Sequence, residues 1–157
     1  MFRNTCVAIA ILGTALVGCG GDEDHEPLIS GSVTGEFEGA SFTVAEGVAT
    51  VVNDTSAIVL GTDAINCQSQ DQASPPSGYF ASFGLPSFEV GTYSSVLVTV
   101  YENHGDFSGR GNNSGSVEIT SSSDASVAGT VAYSYTDDVT QESYALNGTF
   151  EVVRCPE

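Results

Sequence analysis

The sequence contains no lysine, and its only cations are Arg3, Arg110 and Arg154, set against 20 acidic residues for a formal charge of −17 at pH 7. A surface so poor in positive charge repels phosphate backbones and anionic lipid headgroups, which excludes nucleic-acid binding. Long apolar runs are also lacking. The longest stretch, Val7 to Val17, would span about 16 Å as a helix, against about 30 Å for a hydrocarbon core, so a membrane-spanning helix is excluded there. Histidine is nearly absent, with only His25 and His104. No GxSxG, HExxH, P-loop or GxGxxG pattern occurs, and a Ser-His-Asp arrangement in the domain would have His104 alone as its base. No window carries a sustained helical stripe with caps.

What is present begins with an address. Arg3 precedes the short apolar stretch, as in a secretory signal peptide. The stretch runs into Leu16-Val17-Gly18-Cys19. These four positions resemble the lipobox of bacterial lipoproteins. The resemblance implies cleavage before Cys19, diacylation of its sulfur and residence in the bacterial cell envelope. Two or more acyl chains anchor stably where one is marginal. In such lipoproteins an Asp directly after the Cys favours inner-membrane retention. Here Gly20 and Gly21 intervene before Asp22, so the outer membrane is favoured. Residues 1–18 are therefore expected to be a discarded leader, taking Cys6 with them.

Residues 19–27 read as the lipidated cysteine and a polar, acidic tether with no apolar side chain to pack. Residues 28–157 are then a single domain, long enough to bury a core. The chain from Cys19 onward holds two arginines against all 20 acids, a formal −18. The acids are scattered, which suits solubility better than a dedicated cation store. Beyond the anchor two cysteines remain, Cys67 and Cys155, with no CxxC spacing or neighbouring histidine. In an exported protein such a pair is expected to form a disulfide.

From Leu28 onward the apolar residues recur with period two. Ile29, Gly31, Val33, Gly35 and Phe37 share one parity, and Val96, Val98 and Val100 repeat the pattern. The clearest strands are the last two. Val127, Gly129, Val131, Tyr133 and Tyr135 share one face, and so do Tyr144, Leu146, Gly148, Phe150 and Val152. A polar stretch from Asp137 to Glu142 suits the connection between them. Two runs, Val48 to Val52 and Ala57 to Leu60, are apolar without alternation. Glycines inside strand patterns point to bulges or close packing. The expected fold is all-β: an antiparallel β-sandwich of about eight strands, with a closed up-and-down β-barrel as the alternative. The sandwich is preferred because a bridge from a central loop to the C-terminal strand would clip two layers.

Four segments, Gly91-Thr-Tyr93, Gly115-Ser-Val-Glu-Ile-Thr120, Val127-Ala-Gly-Thr-Val131 and Leu146-Asn-Gly-Thr-Phe-Glu-Val-Val-Arg-Cys155, resemble small bacterial envelope lipoproteins with β-sandwich domains. That resemblance implies fold and address and brings no catalytic residues.

Candidate chemistry is sparse. Tyr101 to Gly115 reads as one glycine-rich loop carrying Glu102, Asn103, His104, Asp106, Asn112 and Asn113, oxygen-bearing types that suit Ca²⁺. Its spacing departs from the EF-hand pattern, and Arg110 opposes a cation. A second loop, Asn66 to Gly78, carries Cys67 and polar side chains able to bond a glycan or peptide. Tyr79, Phe80 and Phe83 beside it form a possible stacking platform, although alternation sends Tyr79 and Phe83 to the core. Three Asn-x-Ser/Thr sequons, at Asn53, Asn112 and Asn147, are read as turn and strand chemistry. The expectation is a non-enzymatic binding or structural module with no cofactor or metal. It would be held to a membrane through Cys19, with an envelope protein or glycan as partner. A small-ligand or Ca²⁺ binder using residues 101–115 is the alternative.

Overall fold

The computed structural model describes residues 28–63, 65–67, 76–104 and 107–156. The expected all-β fold is what these residues form. Nine strands follow one another: β1 Ser30–Phe37, β2 Ala40–Thr43, β3 Glu46–Val52, β4 Thr55–Gly61, β5 Gly78–Leu85, β6 Gly91–Asn103, β7 Phe107–Ser122, β8 Ser126–Thr136 and β9 Ser143–Arg154. From β3 to β9 each strand pairs antiparallel with the next, and β9 meets β3 through a short parallel contact, Val48 opposite Val153 and Ala49 opposite Arg154. The sheet thus closes on itself as a seven-strand mixed barrel. β1 adds antiparallel to β9, and β2 to β1. The Val44 N–H bonds to Val33 and the Ala45 N–H to Gly61, so the wall stays stitched where β2 passes into β3.

Of the two architectures weighed from the sequence, the closed barrel is the one adopted, and the preferred sandwich gives way. The physical reason is β9, which bonds to β8 along one edge and to β1 and β3 along the other. A sandwich would forgo the β3 contact and leave the N–H and C=O groups at the Val153–Arg154 end of β9 unpaired.

Alternation decides what fills the barrel. Val33, Phe37, Ala49, Ile58, Phe83, Val98, Val117, Val131, Leu146 and Phe150 are all buried within one cluster. A barrel of this size has an interior just wide enough for side chains to fill. Tight turns drive the meander. Glu38-Gly39 and Asn53-Asp54 both have positive φ at each residue (51° and 82°, 49° and 61°) between directly paired strand ends. That is the type I′ hairpin, whose twist matches the strands it joins. At the β8–β9 connection the Asp137 carboxylate accepts the N–H groups of Val139 (2.8 Å) and Thr140 (3.0 Å).

Glycines let the strands curve. Gly35 pairs with Phe42, Gly109 with Tyr101, and Gly129 with Phe150. A Cβ on Gly35 or Gly109 would run into the partner ring, and one on Gly129 would meet the Glu118 carbonyl first, with the Phe150 ring at 3.0 Å. Aromatic rings covering cross-strand glycines pin register at bends.

A second, smaller cluster lies outside the barrel. Val48, Val59 and Phe80 point outward and are covered by Ile65 and by Cys67 and Cys155. This explains the two runs without alternation: β3 and β4 are buried on both faces there. Cys67 and Cys155 form the expected disulfide, with Cα atoms 5.3 Å apart. It does not clip two layers. It pins the chain after β4 onto the outer wall, where the Cys155 N–H also bonds to the Ala49 carbonyl at 2.8 Å.

Candidate functional site: the tyrosine-lined end of the barrel

The end of the barrel reached by β1, β6 and β8 collects most of the chemistry. Period two places Tyr79, Glu102, Tyr133, Tyr135 and Tyr144 on the inward parity of their strands. Their rings join into a collar. Tyr79 stacks on Phe42 (centroids 5.1 Å apart, 9° between planes) and meets His104 edge-on at 5.1 Å. Phe37 meets Tyr144 edge-on at 5.3 Å, and Tyr135 stacks on Tyr144 at 6.0 Å. These arrangements suit the ring quadrupoles.

Carboxylates surround the collar. The Tyr144 hydroxyl lies 3.2 Å from Glu142 Oε2 and 3.4 Å from Glu38 Oε1, and donates to one of them. The Tyr135 hydroxyl donates to Asp137 Oδ2 at 3.3 Å. Ser143 donates to Glu36 nearby. The electrostatics follow. Burial pushes the Tyr144 phenol up to about 12, with the Glu38 and Glu142 charges adding to the effect. Tyr79 and Tyr135 are raised by burial first and then by Glu102 and Asp137 respectively. The backbone N–H groups of Thr140 and Val139 hold the Asp137 carboxyl below its usual range. The tyrosines here are neutral hydrogen-bond donors.

Beneath the collar sits Tyr133, 2% exposed, with a hydroxyl that has no hydrogen-bond partner among the described residues. The Asn112 backbone N–H faces it without completing a hydrogen bond, and burial lifts its phenol to about 12. Arg110 stands on β7 near Tyr135 and Tyr144 and bonds to the Gly109 carbonyl at 3.0 Å.

The residues singled out from the sequence are distributed as follows. Cys19, the tether with His25, and Asp106 lie outside the described residues. The segment expected as a glycine-rich loop, Tyr101 to Gly115, is mostly strand: β6 runs to Asn103 and β7 starts at Phe107. Its long pairing, including Glu102 with Ser108 and Val98 with Asn112, absorbs the glycines as close cross-strand contacts. The Asn112 Oδ1 accepts the Ser114 N–H (2.9 Å) and hydroxyl (2.6 Å) at a bulge. Among the described residues no three His, Cys, Asp or Glu side chains gather as a metal would require.

Phe83 faces the core and Tyr79 packs against it, as alternation required, while Phe80 turns outward. There it stacks on Tyr101 (4.6 Å), and Tyr101 on Phe107 (5.4 Å). Ile65 is fully buried, yet a lone isoleucine between Ala64 and Asn66 carries no period in the sequence to mark it. The tyrosine collar was likewise legible only as two strand faces. Comparison with known proteins returns no matching family model, no matching curated protein and no matching solved structure.

Proposed function

We propose that this chain is a lipid-anchored, extracytoplasmic lipoprotein of the bacterial envelope whose barrel serves as a non-enzymatic binding or structural module. The observation that carries the reading is the order of parts along the chain. A leader ending in Leu16-Val17-Gly18 and the segment 19–27, which opens with Cys19, are followed by a barrel clipped by Cys67–Cys155. A structural disulfide persists in oxidising compartments, and this supports export. The candidate partner is an envelope protein or glycan. Basic groups on such a partner would complement the carboxylates around Tyr135 and Tyr144.

Intact mass of the protein purified from a bacterial host tests the address. The expected result is a chain starting at Cys19 with added acyl mass that a Cys19→Ser variant lacks. An unacylated chain retaining residues 1–18, or cleaved elsewhere, would count against it.

The alternative of a Ca²⁺ binder through residues 101–115 has less support. The Asn112 carboxamide oxygen is occupied by Ser114, and Arg110 stands on the same strand. No change in melting temperature is expected between chelator and millimolar Ca²⁺. A rise of several degrees would favour the ion-binding reading instead.

A further inference from the structure

β7 outruns its neighbour on one side. Its pairing with β8 covers Ser116 to Ser122. From Ser116 it continues to Phe107, whereas β8 continues from Ala132 only to Thr136. At about 3.3 Å per residue these extensions are about 30 Å and about 13 Å long. Phe107 to Arg110 therefore run past the last residue of β8. The other edge of the same stretch is paired throughout, from Phe107 with Asn103 to Asn112 with Val98. One edge is thus held by β6, and among the described residues no strand pairs with the other.

The main-chain groups on that second edge can be assigned. The Asn112 N–H faces Tyr133, a β8 residue, and so points away from β6. Antiparallel pairing alternates. It turns the N–H and C=O groups of Ser108 and Arg110 the same way as Asn112, and those of Gly109 and Gly111 toward β6. No residue from Phe107 to Ser114 is buried. A row of spaced donors and acceptors along a strand edge is complemented by another extended main chain. Charge narrows the choice of that chain. Glu102 lies opposite Ser108, and Asp137 and Glu142 bond to Tyr135 and Tyr144, the two rings beside Arg110. A second copy would bring another formal −17 to this end, and like charge opposes its approach.

We propose that the Phe107–Asn112 edge of β7 takes up an extended, basic segment of a partner polypeptide as an added strand. This names the partner for the binding-module reading and rests on it. The address is read separately, from the acyl mass on Cys19, so the edge and the anchor fail independently.

The test is amide exchange and chemical shift, followed by NMR on the full chain. In the free chain the Ser108 and Arg110 amides should exchange roughly tenfold faster than those of Gly109 and Gly111. The probe is an end-capped peptide of four Lys-Val repeats. At millimolar concentration it should shift the Ser108, Arg110 and Asn112 amides and slow their exchange by about threefold or more. Four Glu-Val repeats should do neither. Arg110→Pro removes one edge N–H and leaves the bonds to β6, a substitution that strand edges tolerate. It should abolish the response to the basic peptide at an unchanged melting temperature, while Arg110→Ala keeps the response. Ser108→Pro serves the same purpose if Arg110→Pro does not fold. Slow exchange at Ser108 and Arg110 in the free chain would overturn the proposal, because another part of the chain, or a second copy seen as a dimer by sedimentation, then already covers the edge. An equal response to the acidic peptide would overturn the basic partner. A response that survives both proline variants would overturn main-chain pairing.

Discussion

Tyr133 shows how one atom reports on its surroundings. A buried hydroxyl left without a partner carries a desolvation cost of about 1–3 kcal/mol. Replacing it by Phe keeps the ring that fills the barrel and removes that cost. Tyr133→Phe is therefore expected to leave the fold intact and raise stability by about 1 kcal/mol, measured by urea unfolding. Its neighbours set a pH response. Tyr133 and Tyr144 are both raised from 10.0 to about 12 in the folded chain. Between those values the unfolded chain has released protons that the folded chain retains, so stability falls as pH rises. It is complete below pH 10 and is lost progressively from about 10 through about 12. Unfolding followed by phenolate absorbance across that range should show a midpoint denaturant concentration that declines with pH. Tyr133→Phe should make the decline shallower.

At the scale of elements, the glycines bear as much on the barrel as the apolar residues do. Gly148 has φ +143°, and a Cβ there would run into the Ser32 carbonyl on β1. Gly148→Ala should cost about 1–3 kcal/mol from strain and strand displacement, read as a lowered denaturation midpoint. Gly84 is the contrasting position, because a Cβ there meets only the Thr55 methyl at 3.5 Å, an ordinary contact. Gly84→Ala should change the midpoint little. Strand faces were legible wherever one face meets water: β8 and β9 alternate from Val127 to Tyr135 and from Tyr144 to Val152 as read. The segment from Tyr101 to Gly115 was misread because Gly, Asn and Ser favour turns. Here the same residues serve a curved, bulged hairpin in which small side chains let strands approach. Composition is identical in the two cases, and only the cross-strand partner separates them.

For the whole molecule the question is what closes the wall. The contacts that do so are distant in sequence, Val48 with Val153 and Ala49 with Arg154. The disulfide spans 88 residues and ties the chain after β4 to the last strand. In the chain-entropy model such a loop contributes nominally about 4–5 kcal/mol. A Cys67→Ser, Cys155→Ser double variant should lose about 2–4 kcal/mol in chemical denaturation, because native strain and residual structure trim that figure. It should also loosen the cover over Val48, Val59 and Phe80, seen as faster amide exchange at Ile65 than in β8.

The residues by themselves determined the all-β class, the inward faces of the clear strands and the expectation that Cys67 bonds Cys155. Each of these depends on local period or on counting. Only the tertiary structure decided between sandwich and barrel, because that choice depends on which strand takes up the free edge of β9. Strand pairing between residues more than a hundred positions apart leaves no periodic trace in sequence. The same closure brings Glu38, Tyr135, Glu142 and Tyr144 to one end and Val51 and Val90 to the other.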